Sequence, residues 1–366
     1  MPSSEFYQRL EQAVKKYGGL VNAHLHLDRS GTLDSRYLSH VGMDPLQASA
    51  YSLRVKQNLT GDLHRGPAYD ADDLRYRIGQ RLEEMILVGT TTAYSFIDVS
   101  ADRVGLTAFD VALQLKAERR GQIDFQVGAY PIFGFKDTEP QRWELFVEAA
   151  TKADFLGTLP ERDDKIHHPR HIGYDEHVRR TLRLAQELHK PIHYHLDQAN
   201  DPRENGMETV LEAVRWLGSP KIEGVTGPTV WGVHVISPSA YDESRFERML
   251  ENIGRYAVGV ISCPSAAISM RQLRPLQAPT HNSMARVIEM LERKIPVRLG
   301  SYNIADVFLP STTASLYDEA FIFSNAARFY NVDILAKLMC AAPLNDMDRE
   351  VIRSHLQQDR EVFKAL

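Results

Sequence analysis

Short apolar runs rich in β-branched residues recur along the chain, each followed by a more polar stretch whose apolar residues fall at helical spacing. Eight such runs stand out: Leu20 to His26, Thr91 to Val99, Ile123 to Pro131, Ala153 to Pro160, Pro191 to Asp197, Val230 to Ile236, Ala257 to Pro264 and Pro296 to Tyr302. Between them, Asp70 to Val88 aligns Leu74, Ile78, Leu82 and Met85 on one helical face, and Asp175 to His189 and Glu208 to Leu217 show the same period. Eight strands alternating with helices predict the α/β class in its closed (β/α)8 form, a TIM barrel, rather than an open sheet. The sequence shows no internal repeat, low-complexity tract or linker, so a single domain is expected over residues 1–366. The segment from Gly31 to Tyr69 is too long for an ordinary strand-to-helix loop and mixes Gly, Pro and Tyr with short helical patterns, which reads as a lid insertion over 31–69.

Composition narrows the partners. The formal charge of −5, with no clustered Lys and Arg, lacks the electrostatic footprint of a nucleic-acid or anionic-membrane binder and leaves a small molecule as the expected partner. Only Cys263 and Cys340 are present, which excludes a disulfide framework and suits a reducing compartment. The opening Met-Pro-Ser-Ser-Glu lacks the apolar run of a signal peptide, and no stretch reaches the ~18 apolar residues of a membrane span, so the expectation is a cytoplasmic protein. The tail from Asp346 to Leu366 has a helical pattern that suits packing either on its own barrel or on a second copy in a homo-oligomer.

Candidate chemistry lies in the histidines. Side chains two apart on a strand point to the same side, so His24 and His26 project together at the end of the first run. His195 closes the fifth run and His234 the sixth, and barrel active sites are built from the C-terminal ends of the strands. Four imidazoles on one rim predict one divalent transition metal, zinc or iron, because neutral imidazole suits both and an open coordination position makes such a site catalytic. His64, His167, His168 and His171 fall in expected loops and read as solvent-exposed rather than as a second metal site.

Asn22-Ala23-His24-Leu25-His26-Leu27-Asp28-Arg29 resembles the first-strand signature of cytosine deaminases and of the related triazine and ammelide hydrolases in the amidohydrolase superfamily. His193-Tyr194-His195-Leu196-Asp197-Gln198, Val233-His234-Val235, Cys263-Pro264 and Leu299-Gly300-Ser301-Tyr302-Asn303-Ile304-Ala305-Asp306 resemble the ends of that family's fifth to eighth strands, in the same order. The resemblance implies hydrolysis of a C–N bond in a small nitrogen heterocycle or amide. It implies His24, His26 and His195 as metal ligands and His234 as the group that orients the attacking water or steadies the oxyanion. Arg29, Gln198, Asn303 and Asp306 would contact substrate. The β-sandwich that usually flanks the family's barrel has no counterpart in the pattern.

Two positions depart from that signature. Tyr302 stands where the family places a metal-binding Asp that accepts the water's proton, and a phenol of pKa about 10 is a poor base at neutral pH. Gln198 stands where cytosine deaminases carry a proton-shuttling Glu, and an amide cannot transfer protons efficiently. Asp306 is a second source of a carboxylate, or else a loop residue capping the next helix. The departures keep two alternatives open: a non-hydrolytic lyase, decarboxylase or cyclase that uses the same metal or the Tyr302 phenol, and a binding protein that has lost turnover.

Overall fold

The computed structural model describes residues 4–269 and 284–364. Its eight strands are β1 Leu20–Leu25, β2 Thr90–Asp98, β3 Asp124–Tyr130, β4 Phe155–Thr158, β5 Ile192–Leu196, β6 Val230–His234, β7 Gly259–Ser262 and β8 Val297–Leu299. Each overlaps one of the eight runs, and each pairs in parallel with its sequence neighbour, in the order β1 to β8. The ring closes through backbone alone: Tyr302 N donates to His24 O and His26 N donates to Tyr302 O, both at 2.9 Å, with Leu25 and Tyr302 bridged in parallel. This is a (β/α)8 barrel, and among the described residues no β-sandwich accompanies it.

The expected helices form where the periodicity places them. Ala71–Leu87 buries Leu74, Ile78, Leu82 and Met85 against the sheet, while Tyr174–Glu187 and Gly206–Leu217 cover neighbouring strands. Helix Asp346–Lys364 packs on its own chain, burying Ile352 and Leu356 and setting Asp348 against Lys337 Nζ at 2.8 Å from both carboxylate oxygens. Cys263 and Cys340 are free and buried, and no helix among the described residues is long and apolar enough to cross a membrane.

Residues 31–69 fold into short helical pieces, chiefly Pro45–Ala48 and Leu53–Arg65, tied to the loops that leave the strand ends. Lys56 Nζ donates to Phe308 O at 3.0 Å beyond β8, and Arg162 Nη2 donates to Gln57 O at 3.1 Å beyond β4. His64, expected in an exposed loop, instead sits buried near the end of Leu53–Arg65 and faces Asp98 at the end of β2.

Interior packing is tight where it supports the rim. Gly157 on β4 lies against the Phe96 ring, which a Cβ at that position would meet at 1.9 Å. Phe96 in turn packs on His24 and His195, with ring centroids 4.5 and 4.8 Å apart. Gly157→Ala is therefore expected to cost about 1–3 kcal/mol by overpacking and to lower the urea midpoint. Gly254→Ala, whose Cβ meets nothing within 4 Å, leaves the midpoint unchanged or raises it.

Candidate functional site

His24, His26, His195 and His234 converge at the C-terminal rim, all 1% exposed or less. Ring centroids lie 4.7 Å apart for His24 and His195, 5.0 Å for His24 and His26, 5.2 Å for His26 and His195, 5.4 Å for His195 and His234, and 5.5 Å for His24 and His234. His24, His195 and His234 each bring a ring nitrogen within 4.8 Å of the others, and His26 Nε2 stands 3.1 Å from His195 Nε2. Burial, with mutual repulsion adding to it for His24 and His234, drives these rings well below their ordinary pKa; His26 is lowered by burial and Arg29, and burial, opposed by the Thr158 carbonyl, takes His195 to about 3. All four are therefore neutral, with lone pairs available.

The hydrogen bonds sort those lone pairs. His195 Nδ1 meets Thr158 O at 3.0 Å, so its proton lies on Nδ1 and Nε2 points bare into the cluster. Neither ring nitrogen of His24 or of His234 has a hydrogen-bond partner, although both rings are buried. Buried polar atoms are almost always satisfied, so four orphaned nitrogens in one place call for a ligand that the chain itself does not provide. Bare imidazole nitrogens at this spacing fit a single transition-metal ion.

Arg29 lies beneath the cluster rather than at the surface, 2% exposed, with its guanidinium over the Phe308 ring and donating to His26 Nδ1. Around it, Asp28 accepts Asp98 N at 2.9 Å, and Tyr69 OH donates to Asp98 at 2.6 Å and to Asp28 at 3.2 Å. Burial and the neighbouring Asp98 push the Asp28 carboxyl up. Asp98, which burial also pushes up, is held below the usual carboxylate range by Arg29 and His64. One oxygen each of Asp28 and Asp98, and Nε of Arg29, are buried without partners.

Tyr302 stacks on His24 with its ring centroid 5.6 Å away and meets His234 edge-on at 4.8 Å, so it does stand among the imidazoles. Burial raises its phenol above the ordinary value, against a smaller pull from Arg29, and keeps it protonated at neutral pH. Its backbone is left-handed (φ 65°), as is that of His234 (φ 74°), and strained backbone of this kind concentrates at working sites. Asn303 is buried with Oδ1 unpartnered, whereas Asp306, expected at a substrate or capping a helix, has both oxygens engaged in its own loop. One oxygen accepts Phe308 N at 2.8 Å and Leu309 N at 3.0 Å, and the other accepts Asn303 Nδ2. Gln198, 1% exposed, donates through Nε2 to Glu161 Oε1 at 3.2 Å.

Asp98, Tyr69 and Glu161 were not singled out from the sequence. Asp98 and Glu161 follow the same rule that picks the histidines, since each stands at or just beyond the end of a predicted strand. Tyr69 gives no such signal, because its position depends on how the 31–69 segment folds. His167, His168 and His171 do not join the cluster; His171 Nδ1 and His177 Nδ1 flank Asp163 at 2.7 and 2.6 Å.

No protein-family model matches the chain. An uncharacterized protein of Haemophilus influenzae is 27% identical over 293 residues, covering 78% of this chain and 95% of that one. Among solved structures, the 5-methylcytosine deaminase of Klebsiella pneumoniae bound to 5-fluorocytosine aligns at TM-score 0.74 and 20% identity, over 88% of this chain and 72% of that one. The N-isopropylammelide isopropylaminohydrolase of Burkholderia multivorans aligns at 0.65 and 19%, over 88% and 73%. The zinc-complexed atrazine chlorohydrolase of Arthrobacter aurescens aligns at 0.56 and 14%, over 89% and 71%. These neighbours are members of the amidohydrolase superfamily, the family whose strand-end motifs the sequence resembles, and at these identities what is shared is the barrel fold.

The latch between the 31–69 segment and the barrel is charged. His64 meets Asp98 at 3.1 Å and half-buried Asp102 at 2.7 Å; burial disfavours its charge, but the two carboxylates outweigh that and lift it to about 8. A raised histidine pKa stabilises fully below its unfolded value of about 6.5, and the contribution fades as pH rises through about 8. Hydrogen exchange in helix Leu53–Arg65, corrected for intrinsic rate, is expected to accelerate between pH 7 and 9, and Asp102→Asn should move that onset to lower pH.

Proposed function

We propose that this chain is a metal-dependent hydrolase of the amidohydrolase superfamily that cleaves an exocyclic or ring C–N bond of a small nitrogen heterocycle. The observation that carries the reading is the set of orphaned, uncharged imidazole nitrogens of His24 and His234 beside the bare Nε2 of His195. Zinc or iron is the cation such a donor set suits, with His24, His26 and His195 as its ligands. The 3.1 Å between His26 Nε2 and His195 Nε2 supports including His26, since ligands at about 2.0–2.1 Å from one ion lie about 3.3 Å apart. For His26 to take part, Arg29 has to turn off its Nδ1, and the unpartnered oxygens of Asp28 and Asp98 are acceptors for both groups. When bound, such an ion supplies Lewis-acid polarisation of an oxygen.

The remaining roles belong to the chain. His234 faces the reacting carbon and donates to the oxyanion as it develops. Tyr302, locked as a neutral phenol, is a second donor to that oxygen and not a base. Asn303 Oδ1 accepts a ring N–H, Gln198 reads the neighbouring ring position, and Arg29 lies beneath the site. The 31–69 segment acts as the lid over a site whose side chains are otherwise shut from solvent.

Elemental analysis of the purified protein should give about one transition metal per chain, lost in His24→Ala, His26→Ala and His195→Ala but retained in His234→Ala. The metal-loaded wild type should release ammonia or an amine from a panel of aminopyrimidines and amino-triazines; a metal-free wild type of unchanged activity refutes the reading. Tyr302→Phe should keep its metal and lose about 10²-fold in kcat, the effect of removing one oxyanion donor. The raised Tyr302 phenol also suits a general acid in a lyase or decarboxylase, the second reading. A sharp rise in ammonia release in Tyr302→Asp marks a disabled deaminase, whereas loss of a native activity in that variant favours the second reading.

A further inference from the structure

Hydrolysis of a C–N bond needs a group that moves a proton from water to the departing nitrogen, and the rim histidines and Tyr302 are poorly suited to it. In the reading above His24, His26 and His195 are taken up as ligands, and His234 and Tyr302 face the oxyanion. Most carboxyls nearby are already engaged. Asp197 accepts Gly206 N at 2.6 Å and Met207 N at 2.9 Å and so caps the helix Gly206–Leu217. Asp306 folds its own loop, Asp28 and Asp98 are tied to Tyr69, and Glu204 accepts Ala199 N at 2.9 Å together with the Ser237 hydroxyl.

Glu161 differs. It follows β4 by three residues, beyond the Thr158 carbonyl that orients His195, and it lies deep in the mouth while keeping part of its surface accessible. Its side-chain partners are amides, Gln198 at 3.2 Å and Gln57 from the 31–69 segment, which hold the carboxyl in place without supplying a proton of their own.

We propose that Glu161 is the proton-transferring residue of this site, with Gln198 positioning its carboxyl; the inference rests on the hydrolytic reading above. As the water oxygen bonds to the ring carbon, the Glu161 carboxylate takes one of its protons. As the C–N bond breaks, the same proton goes to the nitrogen, which leaves as ammonia or amine, and the carboxylate is restored. Burial, opposed by the Gln198 hydrogen bond, lifts Glu161 to about 7, where a group that both accepts and returns a proton works best. The charged and titratable groups around it are Arg162, Asp197, Glu204, Tyr174 and Tyr302.

The test compares wild type, Glu161→Gln, Glu161→Asp and the exchange variant Glu161→Gln/Gln198→Glu, each assayed for metal content and for ammonia release from the aminopyrimidine panel against pH. Glu161→Gln should keep its metal, lose about 10²–10⁴-fold in kcat/KM, and lose the limb that rises through pH ~7 in wild type. Glu161→Asp should retain more activity than Glu161→Gln, and the exchange variant should regain at least tenfold by returning a carboxyl to the other side of the same hydrogen bond. NMR of the 13C-glutamate-labelled protein should show one carboxyl titrating near neutrality that disappears in Glu161→Gln. A metal-loaded Glu161→Gln within threefold of wild type overturns the proposal, as does an exchange variant that is folded, metal-loaded and no faster than Glu161→Gln. If Glu161→Gln does not fold, the exchange variant decides. An inactive, metal-loaded wild type instead defeats the hydrolytic reading itself, and this inference with it.

Discussion

Everything at this rim follows from the burial of four imidazole rings, two of which, His24 and His234, have no hydrogen-bond partner on either nitrogen. A buried polar atom without a hydrogen bond costs roughly 1–3 kcal/mol, and His24 and His234 contribute four such atoms within one small volume. The packing of Phe96 on His24 and of Tyr302 on His234 does not relieve that cost, since aromatic faces offer weak acceptors at best. The same low-dielectric surroundings that strip the rings of their protons leave them as ready donors of electron pairs. Readiness to donate an electron pair and resistance to protonation are thus two results of one environment.

The scaffold was largely legible in the sequence because its signals are local. Each β-branched run became a strand, and the apolar faces at Leu74, Ile78, Leu82 and Met85 became the buried side of a helix, since period 2 and period 3.6 report burial directly. The convergence of His24, His26, His195 and His234 also followed, because a parallel barrel brings all its strand ends to one rim. What pattern could not give was the fate of polar side chains in loops. Asp306 turned inward on its own backbone, Arg29 engaged His26 and the Phe308 ring, and His64 became buried between two aspartates. The outcome at His64 was set by partners distant in sequence, and that at Arg29 in part by Phe308, whereas Asp306 was settled by neighbours within three residues.

The distribution of carboxyls around the rim separates structural from chemical duty. Asp197, Asp163 and Asp306 satisfy backbone amides at 2.6 to 3.0 Å, and so hold turns and a helix start. Asp28 and Asp98 form a buried pair in which one carboxyl is raised and the other held down, as two like charges in close quarters require. Glu161 is held by two side-chain amides, those of Gln198 and Gln57.

Tyr302 occupies the residue that completes the barrel, yet both hydrogen bonds that join it to β1 run through its main chain. The seam's hydrogen bonds therefore do not involve the side chain that stands there, and the left-handed backbone at this position (φ 65°) is one that an Asp also tolerates. A change at this position alters what reaches the imidazoles without asking the ring of strands to be rebuilt, so a lineage can trade an acid for a phenol here in a single substitution and keep its architecture. The place where the sheet meets itself is also the place where its reactivity is freest to drift.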